Sequence, residues 1–364
     1  MHMADALLNP AVGTAFWITS AVMIGVASKK STQENDAEKI PLMGVLGAFI
    51  FAAQMINFTI PGTGSSGHLG GGLILTILLG PWRAFLTLAS VLTIQCLFFA
   101  DGGILALGAN IFNLAFWPAF MAYPLIFKPM AGENPTPVRL GIATVLAAVV
   151  GLQLGSFSVV METVMSGISD LPFTTFVLTM QPIHLAIGVV EGLVTFAVIS
   201  YVRKVQPSLM TSAPTDSLSK SILVTFTLLI VLVGGFVSWF ASSQPDGLEW
   251  SMGRTSGKEE LEVTTSIQKT LAGIQEKLAF LPDYGFKTAE IAEKVASEVE
   301  TTELASSVSW GTTVSGLVGP LMVLLLAMGV GFILRRKGSE HDHGHTHDHS
   351  HPHSHRGGGH THSH

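Results

Sequence analysis

The chain has 364 residues, 48 % of them apolar and only 12 % charged. Soluble domains carry roughly 25 % charge, so this composition excludes an ordinary soluble enzyme and points to membrane spans of about 20 residues each. The net charge of −6 is confined to residues 243–309, which hold 12 acidic and 6 basic side chains. The remainder is balanced and offers no basic surface for nucleic acid. The single cysteine, Cys96, excludes an internal disulfide.

Apolar segments fall at 11–28, 42–57, 69–80, 84–100, 104–127, 138–161, 182–202, 219–242 and 311–334. They predict an all-α integral membrane protein with about nine membrane segments. The third is too short to cross as a regular helix, starts with Gly70-Gly71-Gly72 and ends at Gly80-Pro81. At membrane depth such backbone must be buried in protein or line a cavity, which marks it as part of a site.

Basic residues set the expected orientation. Lys29, Lys30, Lys39, Arg83, Lys128, Arg139, Arg203 and Lys204 fall in alternate loops, and Arg335-Arg336-Lys337 follow the last segment. Nine spans with this alternation place the N-terminus outside and the C-terminus in the cytoplasm. Segment one has its lysines after it rather than before it, the reverse of a signal peptide. Met1 is therefore expected to remain, its amine facing outward.

The chain divides into residues 1–204, a seven-segment core; 205–218, a Pro/Ser/Thr-rich linker; 219–334, two spans around the acidic region 243–309; and a tail, 335–364. Within 243–309, stretches 258–281 and 287–304 have helical composition. The position of this region, on the outer side, suggests that it shapes entry to a site. The tail holds His341, His343, His345, His347, His349, His351, His353, His355, His360, His362 and His364. It cannot bury a core, reads as disordered, and suits loose binding of several transition-metal ions. A solubilising tail is the plainer alternative.

Three histidines lie elsewhere: His2, His68 and His184. In Met1-His2 the terminal amine, the His2 backbone nitrogen and the His2 ring can close fused chelate rings on one metal. Nitrogen donors in a square plane point to Ni(II) or Cu(II), and the amine must lose its proton first. His68, in Gly64-Ser65-Ser66-Gly67-His68 on the same side, is the candidate fourth donor. Polar residues within or beside the apolar segments are costly and tend to be functional. Here they are Gln54, Asn57, Gln95, Asp101, Asn110, Asn113, His184 and Glu191. The plainer reading is that the amides join helices and that His184 and Glu191 form a packed polar pair. Gly64-Ser65-Ser66-Gly67 also fits an intramembrane serine protease with Ser66 as nucleophile and His184 as base. A secondary metal carrier would need His/Asp pairs at helical spacing within the spans, and none occurs.

Met1-His2, the Asn57 region, Ser66-Gly67-His68, Leu79-Gly80-Pro81-Trp82, Asp101-Gly102-Gly103, Leu107-Gly108-Ala109-Asn110, Asn113 and Glu191-Gly192 resemble the membrane substrate-binding component (CbiM/NikM) of nickel and cobalt energy-coupling-factor transporters. Residues 219–334 resemble its small N-type companion, with Pro245-Asp246-Gly247-Leu248-Glu249-Trp250 as the signature of the nickel version. Ala6 stands where the family has Gly after Asp. The resemblance implies capture of Ni(II), or Co(II), by the Met1 amine, the His2 backbone nitrogen and the rings of His2 and His68. Asn57, Gln95, Asp101, Asn110, Asn113, His184 and Glu191 would support these ligands. It also implies a transmembrane coupling subunit and cytosolic ATPase subunits as partners. The chain has no Gly-x-x-x-x-Gly-Lys-Ser/Thr phosphate loop, so ATP hydrolysis is expected in those partners and not in an enzyme site here.

Overall fold

A computed structural model describes residues 2–34, 39–168, 171–210, 219–258, 261–287 and 310–342. All nine apolar segments are helical. Six helices are long and apolar enough to cross a membrane: α1 (Pro10–Gln33), α4 (Pro81–Phe99), α5 (Leu107–Ala131), α6 (Pro137–Ser166), α7 (Phe173–Val205) and α11 (Trp310–Asp342). Apolar helices α2 (Lys39–Gln54) and α8 (Lys220–Gly235) are shorter. The expected short third segment is α3 (Gly72–Leu79), eight residues, all buried.

Local chemistry explains the starts. Prolines 10, 81 and 137 occupy first-turn positions, where no N–H is missed. Asn9 and Thr136 cap α1 and α6 through their side chains. The middle of α5, Phe112–Phe127, winds as a π-helix. Pro118 and Pro124 lie inside it; each lacks an N–H, and wider winding relieves the clash of the ring with the preceding turn.

The all-α expectation needs one correction. A two-stranded antiparallel hairpin, β1 (Phe58–Ile60) and β2 (Ser65–Gly67), precedes His68. Short strands give this loop the backbone hydrogen bonds that an irregular stretch would lack, and Ser66 N adds a bond to Pro245 O at 2.8 Å.

Helices α6 and α7 lie along each other, and α6 also packs on α5. Helices α8 and α11 pack together and against α2, so the two-span module is built into the core. In the acidic region one helix falls inside the expected stretch 258–281 and another precedes it. They are α10 (Ser266–Leu278) and α9 (Gly247–Ser256). Each starts at a capping box, Asp246/Glu249 and Thr265/Gln268, in which cap and third residue satisfy each other's backbone N–H. These boxes place the starts where helical composition alone did not. Stretch 288–304 lies outside the described residues, as do linker residues 211–218 and tail residues 343–364.

Candidate metal centre

The N-terminal segment is strapped down by its backbone. Asn110 Oδ1 accepts from Met3 N at 2.8 Å, and Asn110 Nδ2 donates to Met3 O at 3.1 Å. Gly103 N donates to the same carbonyl at 2.9 Å. Asp5–Leu7 then form a 3-10 turn, with Asp5 Oδ1 accepting from Ala106 N at 3.1 Å. Ala6 has no positive φ, so its methyl is tolerated in the turn. Gly102 is where glycine is required: its φ is +80°, and an added Cβ would stand 2.8 Å from Asn110 Nδ2 and 3.3 Å from His2 Cβ.

This strap sets the His2 ring on the His68 ring, with centroids 5.0 Å apart and planes within 9°. His68 comes from the loop between β2 and α3. Glu191, on α7, accepts from Gly70 N at 2.7 Å and Gly71 N at 3.2 Å, and Gln54 donates to Gly70 O at 2.9 Å. Gly71 can present its N–H this way because its φ is +76°. His68 Nδ1 donates to Leu69 O at 3.1 Å, which leaves Nε2 as the lone-pair nitrogen. Burial lowers the His68 pKa to about 3, with the nearby His2 ring adding to the effect. The ring is neutral across the physiological range, the form that binds metal.

His2 Nδ1 donates to Asp101 Oδ1 at 2.8 Å. Asp101 Oδ2 accepts from the Tyr284 hydroxyl at 2.5 Å, and Gln95 Nε2 donates to that hydroxyl at 3.3 Å. Burial opposes ionisation of Asp101, but the His2 ring and the two hydrogen bonds hold its pKa below the usual carboxylate range. Burial and the adjacent Asp101 raise the Tyr284 pKa well above a free phenol's, so Tyr284 acts as a donor. His2 Nε2 is buried without a hydrogen-bond partner.

Ring closure distinguishes the two His2 nitrogens. Only Nδ1, bonded to the ring carbon that carries Cβ, can close a six-membered ring with the His2 backbone nitrogen. Here Asp101 holds Nδ1. Chelation through Nδ1 therefore requires the ring to leave this hydrogen bond, because a half-turn about Cβ–Cγ exchanges Nδ1 with Cδ2 and not with Nε2. Met1 lies outside the described residues. Among the described residues no three His, Cys, Asp or Glu side chains converge on a metal-sized point; the candidate donors are two rings and backbone nitrogens.

Other expected residues serve other ends. Asn113 Nδ2 donates to Glu162 Oε2 at 2.8 Å and faces Met3 Sδ at 3.8 Å. Glu162 was missed because it falls one position beyond the apolar segment 138–161. His184 Nδ1 donates to Met180 O at 2.8 Å, and its Nε2 is buried without a partner. His184 lies next to His68 and Asp246 along a small cavity and does not pair with Glu191, which is engaged with the glycine loop. Asn57 O accepts from Ser242 N at 2.7 Å, a join between the two modules. The protease reading fails on geometry: Ser66 Oγ donates to Gln244 O at 2.8 Å, and neither His184 nitrogen bonds to it.

The acidic region forms the cover of the site, which only the tertiary structure reveals. Gln268 Nε2 donates to Asp5 O at 2.8 Å and Leu8 O at 2.9 Å. Gln275 Nε2 donates to Cys96 O at 2.9 Å and Gly102 O at 2.7 Å. Trp250 Nε1 donates to Thr63 O at 3.0 Å. With Tyr284, these residues reach partners more than 170 positions away, so no local signal could have found them.

Comparison with known proteins agrees with this architecture. The family described as cobalt uptake substrate-specific transmembrane region matches residues 2–209, and the PDGLE domain matches residues 220–336. A metal transport protein of Haloquadratum walsbyi is 38 % identical over 58 % of this chain and 93 % of its own. The fused nickel transport protein NikMN of Archaeoglobus fulgidus is 35 % identical over 58 % of this chain and 68 % of its own. The cobalt transport protein CbiM of Sorangium cellulosum is 28 % identical over 58 % and 94 %. A crystal structure of a transition metal transporter superposes with a TM-score of 0.50 and 30 % identity, covering 56 % of this chain and 93 % of that one. The chain thus belongs to the CbiM family of multi-pass nickel and cobalt transport components, with a PDGLE module joined behind the transmembrane region.

Proposed function

We propose that this chain is the capture component of an ATP-driven nickel importer, taking Ni(II) from outside the cell. The donors would be the Met1 amine, the His2 backbone nitrogen, His2 Nδ1 and His68 Nε2. The observation that carries this reading is the stacked His2–His68 pair, held between a strapped N-terminus and a loop clamped by Glu191. Four nitrogens in a plane suit Ni(II). Capture then requires His2 Nδ1 to exchange its hydrogen bond to Asp101 for the metal. The nine apolar segments would lie in the membrane with the N-terminus outside and the C-terminus in the cytoplasm, the short α3 being enclosed by the others. A coupling subunit and ATPase subunits reorient the loaded protein. On α1, which exposes Trp17, Ile18 and Val22, Gly25 has open space around it, so this face suits a partner helix.

Cobalt is the second reading, favoured by relatives named for cobalt transport. Nickel is favoured by the fused two-module arrangement, shared with relatives named as fused nickel transport proteins. The test is native mass spectrometry with equilibrium titration of each metal. One tightly held nickel is expected, and it should disappear when one residue is added ahead of Met1. Unchanged affinity in the extended protein would remove the amine as a ligand.

A further inference from the structure

Between the N-terminal strap and the acidic cover lies a cavity of about 300 Å³. Five carboxylates line it: Asp5, Asp101, Asp246, Glu249 and Asp283, and no Lys or Arg is among the described residues of its wall. His2 is also part of the wall. Asp5 is 5 % exposed, and its Oδ2 is buried with no hydrogen-bond partner, while Oδ1 is engaged by Ala106 N. Leaving a carboxylate oxygen dry and unpaired costs free energy. A cation that arrives there would remove that cost.

We propose that this cavity is a second metal site, an antechamber that takes a hydrated divalent cation before it reaches the capture nitrogens. The volume fits: six waters at about 30 Å³ each need roughly 180 Å³. The chemistry fits as well, because oxygen donors and retained water suit an octahedral hydrated ion rather than a square plane of nitrogens. Carboxylates focused in a cleft raise local cation concentration and on-rate by about 10–10³. Because His2 lines the same wall, an ion held by Asp5 is already beside a proposed ligand. The walls come from both modules, Asp5 and Asp101 from one and Asp246, Glu249 and Asp283 from the other. The acidic module thus contributes charge to the entry route. The role as an antechamber rests on the capture reading above; the cation site itself does not.

The probe is Mn(II), which favours oxygen donors and binds nitrogen-rich sites least among the first-row ions. Bound Mn(II) is counted by electron paramagnetic resonance in the full-length chain, with and without one added N-terminal residue. Both forms are expected to hold one more Mn(II) than Asp5→Asn. Asp283→Asn should weaken that site severalfold; Asp283 is exposed and has φ +47°, a backbone conformation that asparagine tolerates, so this variant keeps the test valid should Asp5→Asn fold poorly. In stopped-flow loading, both variants should take up nickel more slowly, about tenfold for Asp5→Asn. Equal Mn(II) counts in wild type and both variants would overturn the site, and equal nickel loading rates would overturn its role as an antechamber. Retained Mn(II) in a chain without tight nickel would uphold the cation site while defeating the capture reading.

Discussion

The floor and the cover of the candidate metal centre are held in different ways. In the floor, buried side chains from the helices grip backbone: Asn110 takes both groups of Met3, and Glu191 takes two consecutive glycine N–H groups. These side chains are buried, so losing one leaves a buried group unpaired at about 1–3 kcal/mol. In the cover, Gln275 and Tyr284 reach down from a region that carries its own charge and has exposed apolar residues such as Phe280. Its hold is a set of individual side-chain bonds. We propose a division of work on this difference: the floor would set where the proposed ligands are, and the cover how a metal reaches and leaves them.

Removing a ligand should have the largest effect. His68→Ala or His2→Ala should weaken nickel binding by about 4 kcal/mol, roughly a thousandfold, read by competition titration against a chelator of known affinity. A floor residue behind the ligands comes next. Glu191→Ala frees the glycine loop and should cost about 10–100-fold in affinity, with faster hydrogen exchange at the Gly70 and Gly71 amides. If the exchange rises while affinity is unchanged, loop order does not govern the site.

Tyr284→Phe tests the cover. It removes one hydrogen bond to Asp101, worth about 1.5–3 kcal/mol for a charged acceptor, yet leaves both rings in place. Loading and release rates should change together, with affinity moving less than in Glu191→Ala. A loss as large as that of His68→Ala would mean that the cover positions ligands and would dissolve the distinction. Deleting 341–364 should have the smallest effect. Tight nickel and initial uptake should stay nearly constant, while total metal per chain falls most above about pH 6.5, where imidazoles are neutral. Loss of the tight site on truncation would place the tail on the same side of the membrane as His2 and His68.

Much of this protein was readable from composition and spacing. Hydropathy marked each of the nine apolar helices among the described residues, because the 3.6-residue helix buries its own polar backbone and leaves apolar side chains as the signal. The short glycine-led segment announced a site because irregular backbone at membrane depth must be enclosed by protein. Histidine scarcity singled out His2 and His68, and the cost of intramembrane polarity singled out Asn110 and Glu191. The capping box at Thr265 lies within the stretch 258–281 of helical composition, whereas the one at Asp246 lies outside both such stretches.

What only the tertiary structure decided is how these residues face one another. Hydropathy reports burial along a chain and carries no information on which distant backbone a polar side chain will meet. That Asn110 holds Met3, that Glu191 serves the glycine loop rather than His184, and that Ser66 serves Pro245 and Gln244 all depend on packing. The same holds for the cover. Tyr284 and Asp101 are 183 residues apart, and the carboxylates of the cavity come from four separate stretches of the sequence. Their meeting is set by helices α8 and α11 docking on α2, a shape-dependent contact that residue order by itself does not specify.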